Sequence, residues 1–150
     1  MNLEACLREA VEHFKLTAEQ RQGWIDLSCE AGEYDMNGDL IQFKSALTNL
    51  IDNAIKYSID APEISVKLDQ GIDEYKIMVK DRGIGMDEIT KRQVFDRFYR
   101  ATKGNIHDVK GHGLGLSFVK DIIEKHGGTI QVDSAPNAGT TFTLVLPKTT

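Results

Sequence analysis

Apolar positions along this 150-residue chain recur with two different periods, and the changes of period divide it into elements. Leu3, Cys6, Leu7, Ala10, Val11 and Phe14 keep helical spacing, which predicts an amphipathic helix over about 2–15. Trp24 to Cys29 alternates like a strand after Gly23, and a turn-rich stretch runs from Gly32 to Gly38. Asp39, with Gln42 three residues on, resembles a capping box, so a long helix is expected over about 39–57. Ile64, Val66 and Leu68 alternate with polar residues, as do Tyr75, Ile77 and Val79; these predict two strands joined around Gly71. Asp81 to Gly85 reads as a glycine loop, Asp87 to Phe95 as a short helix, and 100–113 as a mobile polar loop. Leu114 to His126 is a further amphipathic helix, ended by Gly127-Gly128. Thr129 to Asp133 and Thr141 to Leu146 are strands around the turn Ala135 to Gly139. Hairpin-paired strands with helices between them predict an α+β fold, a mixed and mostly antiparallel sheet with helices gathered on one face. A Rossmann alternation fits this order less well.

The 39–57 helix has one feature that core packing does not account for. At ~100° per residue, Asn49, Asn53 and Lys56 fall within roughly 60° of one another. Leu47, Leu50, Ile51, Ala54 and Ile55 occupy most of the remainder. Asn has mediocre helix propensity, so two at spacing four ask for a reason, although surface Asn is common. Two neutral oxygen donors and an ammonium on one face suit a hard cation and the phosphates that accompany it.

Composition narrows the function classes. The length is that of one domain able to bury a full core, and 41% hydrophobic with 27% charged residues is ordinary for a globular protein. A net charge of −5 with scattered basic residues argues against general affinity for nucleic acid or an anionic membrane. No apolar run approaches the ~18 residues of a membrane span, and the N-terminus is not a signal peptide. The numbering is compatible with a start inside a longer protein. Cys6 and Cys29 form no metal motif and are expected as reduced thiols, with a disulfide the other option.

Four further motifs carry candidate chemistry, each with a plainer structural reading. Asp81-Arg82-Gly83-Ile84-Gly85 follows a strand; a carboxylate there can accept from an exocyclic amine, and the glycines allow close approach or positive φ. The plainer reading is a tight strand-to-helix turn. Gly111-His112-Gly113-Leu114-Gly115-Leu116 opens a helix, so freed N–H groups and the helix terminus can cradle an anion; a hinge is the plainer reading. Its spacing is neither the Rossmann nor the Walker A pattern. Phe95-Asp96-Arg97-Phe98-Tyr99-Arg100 offers an apolar anchor and two arginines, or simply an amphipathic helix end. Gly139-Thr140 alone is an unremarkable turn. His107, His112 and His126 have no metal-ligand company; His126 reads as a helix C-terminal residue favoured by the dipole. Neither a G-x-S-x-G elbow nor the H-R-D and D-F-G elements of protein kinases occur.

In order and spacing, N-x3-N-A-x-K-Y, D-x-G-x-G, F-D-R-F-Y-R, G-x-G-L-G-L and G-T-x-F together resemble the N, G1, F, G2 and G3 boxes of sensor histidine kinase catalytic domains. Those domains belong to the GHKL ATPase superfamily. The resemblance covers essentially the whole chain and implies a two-layer α/β sandwich, a mixed sheet on about three helices with a mobile ATP lid at about 100–113. It implies ATP and Mg²⁺ as ligands. Asn53 would bind Mg²⁺, with Asn49 beside it through water or phosphate; Lys56 would contact phosphate and Tyr57 would lie near the nucleotide. Asp81 would accept from the adenine amine over a floor of Gly83 and Gly85, and Thr140 would line that pocket. Arg100 would approach the γ-phosphate, with Tyr99 near base or ribose. Gly111, His112, Gly113 and Gly115 would cradle phosphates, with Leu114 and Leu116 behind. Asn49, Asn53, Lys56 and Arg100 are thus the candidate catalytic residues.

Two departures bear on affinity: Arg82 stands where the family often has Asn, and His112 where Ser, Thr or Lys is commoner. Position 49 carries an amide where hydrolysing relatives usually place a glutamate base. The phosphoacceptor motif of the family is absent, and His13 does not fit it. The resemblance therefore implies the C-terminal catalytic piece of a longer, homodimeric kinase, with the first helix continuing from the missing domain. Its partners would be that histidine-bearing dimerisation domain and a response regulator. The domain would be cytoplasmic and out of contact with the membrane, though the parent is commonly an inner-membrane sensor. Two alternatives stay open: a free-standing serine-protein kinase of the anti-sigma-factor type, and a non-catalytic nucleotide-sensing module.

Overall fold

The computed structural model describes residues 1–96 and 115–148. Within them the order is α1 (Leu3–Gln20), β1 (Trp24–Cys29), α2 (Leu40–Lys56), β2 (Glu63–Gln70), β3 (Glu74–Asp81), α3 (Glu88–Gln93), α4 (Gly115–Lys125), β4 (Thr129–Ser134) and β5 (Thr140–Pro147). The strands form one mixed sheet in the order β1-β2-β3-β5-β4. Only β1 and β2 are parallel, and α2 supplies the crossover that a parallel pair needs. α1, α2 and α4 pack as one layer against the sheet, so the expected two-layer α+β sandwich is the fold.

Alternation decides which strand residues face the helices. Ile64, Val66 and Leu68 of β2, Tyr75, Ile77 and Val79 of β3, and Phe142, Leu144 and Leu146 of β5 are all buried. Opposite them, α2 buries Phe43, Leu47, Leu50, Ile51, Ala54 and Ile55. The apolar stripe of α1 runs on through Ala18, so this helix is five residues longer than the spacing up to Phe14 suggests. Asp81 continues the inward-facing series of β3 and is 5% exposed, a carboxylate at the core end of a strand.

Helix ends follow local chemistry. The Asp39 carboxylate accepts the Gln42 N–H at 3.0 Å and caps α2 as expected. The reciprocal half of that cap comes from elsewhere: the Asp39 N–H donates to His126 Nε2 at 3.0 Å. Nδ1 of the same ring lies 2.7 Å from the Ile122 carbonyl, which can only accept, so Nδ1 donates and Nε2 accepts. His126 is therefore a hydrogen-bonding bridge between α4 and α2 at the C-terminal end of α4. Beyond it, Gly127 at φ 77° and the bonds Gly127 N–H to Glu124 and Gly128 N–H to Ile123 close α4 in a Schellman motif. α1 begins with its own cap, because Asn2 is extended and its side chain accepts the Ala5 N–H. Met1 and Asn2 lie against Asp35 and Met36, with the Met36 N–H donating to the Met1 carbonyl at 2.8 Å. Cys6 and Cys29 are both free thiols.

Candidate functional site

The antiparallel pairings of β5 with β3 and with β4 bring three polar residues into one cross-strand row. Asp81 of β3 is in register with Thr140 of β5, and Thr140 with Ser134 of β4. All three are buried. Asp81 Oδ1 accepts the Gly83 N–H at 2.8 Å and the Thr140 N–H at 3.2 Å. Burial pushes the Asp81 carboxyl above its usual range, and those two N–H groups oppose the rise without cancelling it. Oδ2 receives no hydrogen bond among the described residues. The carboxylate is thus fixed through one oxygen and keeps the other for a donor.

Ser134 is the residue that motif reading misses. Its hydroxyl accepts the Met86 N–H at 2.8 Å, donates to the Gly139 carbonyl at 2.8 Å and lies 2.8 Å from Thr140 Oγ1. A serine at the end of β4, outside every glycine box, carries no signal of its own. Its register opposite Thr140 is the only mark, and register is a tertiary fact.

The glycines of the loop after Asp81 are needed by the protein's own backbone. A Cβ on Gly83 would lie 2.2 Å from the Tyr57 carbonyl, which also accepts the Ile84 N–H at 3.1 Å. Gly85 has φ 69°, and a Cβ there would lie 1.9 Å from the Ala135 carbonyl. The Asn137 N–H donates to the Ile84 carbonyl at 2.7 Å. This loop is therefore held between the C-cap of α2, Tyr57, and the β4–β5 turn. Close approach of the backbone requires both glycines, and Gly85 also takes the positive φ that the sequence allows for.

Asn49, Asn53 and Lys56 are half-buried on the polar face of α2, and Tyr57 is half-buried at its C-cap. The Lys56 ammonium is 2.7 Å from Asp52, one turn back on the same helix. Gly115 and Leu116 open α4, which packs on α2, and Leu116 is half-buried against the core. Phe95 anchors the end of the α3 segment, its ring 6.0 Å from Phe142. Tyr99, Arg100, Gly111, His112, Gly113, Leu114 and the expected lid at 100–113 lie outside the described residues.

This donor set fits a magnesium nucleotide. Half-exposed neutral amides suit a cation that keeps most of its ligands as water and phosphate, with the charge supplied by the triphosphate. A buried carboxylate with one uncommitted oxygen suits an exocyclic amine.

The family model described as histidine kinase-, DNA gyrase B- and HSP90-like ATPase matches residues 38–150. The chain belongs to that ATPase family. Among curated relatives it is similar to the sensor protein RprX of Bacteroides fragilis, 38% identical over 139 residues, covering 91% of this chain and 27% of that protein. It is likewise similar to the sensor-like histidine kinase SenX3 of Mycolicibacterium smegmatis, 34% identical over 148 residues, covering 99% of this chain and 38% of that protein. The chain thus spans well under half the length of these relatives. Among solved structures, the catalytic domain of histidine kinase ThkA in a nucleotide-free form superposes with a TM-score of 0.86 at 26% identity, covering 100% and 97% of the two chains. The mycobacterial sensor histidine kinase MprB gives 0.80 at 27% identity, covering 98% and 95%. Within the ATPase family, this chain sorts with the catalytic domains of sensor histidine kinases. No helix among the described residues is long and apolar enough to cross a membrane.

Proposed function

We propose that this chain binds Mg·ATP and delivers its γ-phosphoryl group to a histidine on a separate dimerisation domain, as the C-terminal catalytic piece of a homodimeric two-component sensor kinase. The observation that carries the reading is the buried Asp81, fixed through Oδ1 by two backbone N–H groups beside the Tyr57 carbonyl. Its raised pKa still leaves it an acceptor above that value, and Oδ2 faces no donor of the described chain. It accepts the adenine amine, with Thr140 lining the pocket and Gly83 and Gly85 in its floor. Asn53 on α2 holds the metal and Asn49 sits beside it through water or phosphate. Lys56, drawn from Asp52, and Arg100 contact phosphate; Tyr57 and Tyr99 lie near the nucleoside. Gly111, His112, Gly113 and Gly115 offer the cradle, with Leu114 and Leu116 behind it.

Magnesium, when bound, neutralises charge on the triphosphate. The residues themselves bind, orient and screen; an acceptor imidazole is already nucleophilic, so the domain needs no base of its own. The nitrogen attacks the γ-phosphorus, the bond to the β–γ bridging oxygen breaks and ADP leaves. The amide at position 49 supplies no general base for water, which favours transfer over hydrolysis. The parent would act with a response regulator, and this domain would lie in the cytoplasm, away from nucleic acid and the bilayer.

Calorimetric titration of the chain with ATP, with and without Mg²⁺, tests the binding. Asn53→Ala should abolish the magnesium-dependent part, and unchanged affinity would remove the metal assignment. Radiolabel from γ-labelled ATP should then appear on a histidine of an added dimerisation domain; label on serine would overturn the histidine acceptor.

A further inference from the structure

Ser134 lies outside every motif that points to the nucleotide, yet it ties together the two segments that hold Asp81. One hydroxyl accepts from Met86 in the loop after β3 and donates to Gly139 in the turn before β5. With its single proton given to Gly139, it must accept from Thr140 Oγ1, so Thr140 is the donor of the 2.8 Å contact. The oxygen is then saturated, with two bonds accepted and one donated. The segments it joins are those that fix the carboxylate: Gly83 N–H from one side, Thr140 N–H from the other. Gly139 adds to the constraint, because at φ 77° its Cα passes against the Asp81 carbonyl, where a Cβ would lie 2.2 Å away. Ser134 is 8% exposed, so water cannot readily replace what it does.

We propose that Ser134 is a positioning residue for base selection, holding Asp81 in the orientation that distinguishes a 6-amino from a 6-oxo purine. The inference rests on the reading of this site as one for adenine nucleotides. Ser134 touches no nucleotide in this scheme; it sets the separation of the loop and the turn, and so the direction of the uncommitted Asp81 oxygen. An oxygen that shifts loses the directional hydrogen bond to an amine but changes little for the phosphates.

The test is equilibrium binding of Mg·ATP and Mg·ITP to the whole chain, native and with Ser134→Ala, Ser134→Thr or Thr140→Val. The native chain should prefer ATP. Ser134→Ala should cut that preference by roughly tenfold, almost all of it through weaker ATP binding. Ser134→Thr keeps the hydroxyl and should restore most of the preference. Thr140→Val keeps the N–H to Asp81 but drops one bond to Ser134, and should lose a smaller part. Equal weakening of both nucleotides, or an unchanged ratio, in Ser134→Ala would overturn the proposal. If that variant does not fold, an unchanged ratio in Thr140→Val overturns it instead. A native chain that binds neither nucleotide removes the ATP reading and this inference together, whereas native selectivity that survives every substitution removes the inference alone.

Discussion

His126 Nε2 accepts the backbone N–H of Asp39 at 3.0 Å, joining the C-terminal end of α4 to the N-cap of α2 across 87 residues. The same ring stands edge-on to Phe43, with centroids 5.6 Å apart, and fills the space beside Gly38. The two helices it joins are the one that carries the Asn49–Asn53 face and the one that opens at Gly115. His126→Ala should lower unfolding stability by about 1–3 kcal/mol, from the lost acceptor and the lost ring contacts. Urea denaturation measures it. Nitrogen NMR of the native chain should show Nδ1 protonated and Nε2 bare; the opposite tautomer would contradict the bridge.

Asp81→Asn should raise stability near neutral pH. Burial raises the Asp81 pKa in the folded state above its unfolded value, so the stability that this group contributes is present below the unfolded pKa. It is lost as pH rises through the folded pKa, above which the native chain carries a buried charge. An amide oxygen still accepts from Gly83 and Thr140 without that charge. The stability gap in favour of Asp81→Asn should therefore widen as pH rises from the ordinary carboxylate value, then level off. Denaturant midpoints across that range test the sign. ATP affinity of the same variant should fall by roughly ten- to a hundredfold, because a donor now opposes the amine.

Two glycines separate folding from binding. Gly85→Ala forces a Cβ into the Ala135 carbonyl at φ 69°, and should cost about 3 kcal/mol or more. Gly115→Ala meets nothing within 4 Å among the described residues. It should leave stability unchanged or raise it by about 0.5–1 kcal/mol, while weakening ATP binding where the added methyl crowds the cradle. Thermal melts paired with calorimetry distinguish the two. Unweakened binding in Gly115→Ala would take that residue out of the cradle.

Asp52 competes for Lys56. Their side chains are 29% and 36% exposed on the Lys56 and Asp52 sides, so the pair is worth little to the fold. Asp52→Asn should leave the melting temperature nearly unchanged and tighten ATP binding by about two- to fivefold, as the ammonium turns toward phosphate. Equal or weaker binding would argue that Lys56 does not contact phosphate.

Much of this molecule is determined locally, and those parts are legible in the sequence. Helix α2 follows from its apolar period and its Asp39 cap, and its polar face follows from spacing alone, since 3.6 residues per turn fixes Asn49 and Asn53 on one side. Strand alternation likewise puts Asp81 on the same face as Ile77 and Val79. Gly83 and Gly85 announce a backbone that admits no side chain. The sequence does not say what crowds them, and the answer is Tyr57 and Ala135, residues 26 and 50 positions away by chain numbering. Only tertiary structure decided that β5 lies between β3 and β4, and with it the row Asp81, Thr140, Ser134. It decided too that the His126 ring bridges α4 to the N-cap of α2. The division has one physical cause. Helical period, strand alternation and caps are set by neighbours a few residues apart, whereas strand order and hydrogen-bond partners are chosen when distant segments meet and their buried donors must each find an acceptor.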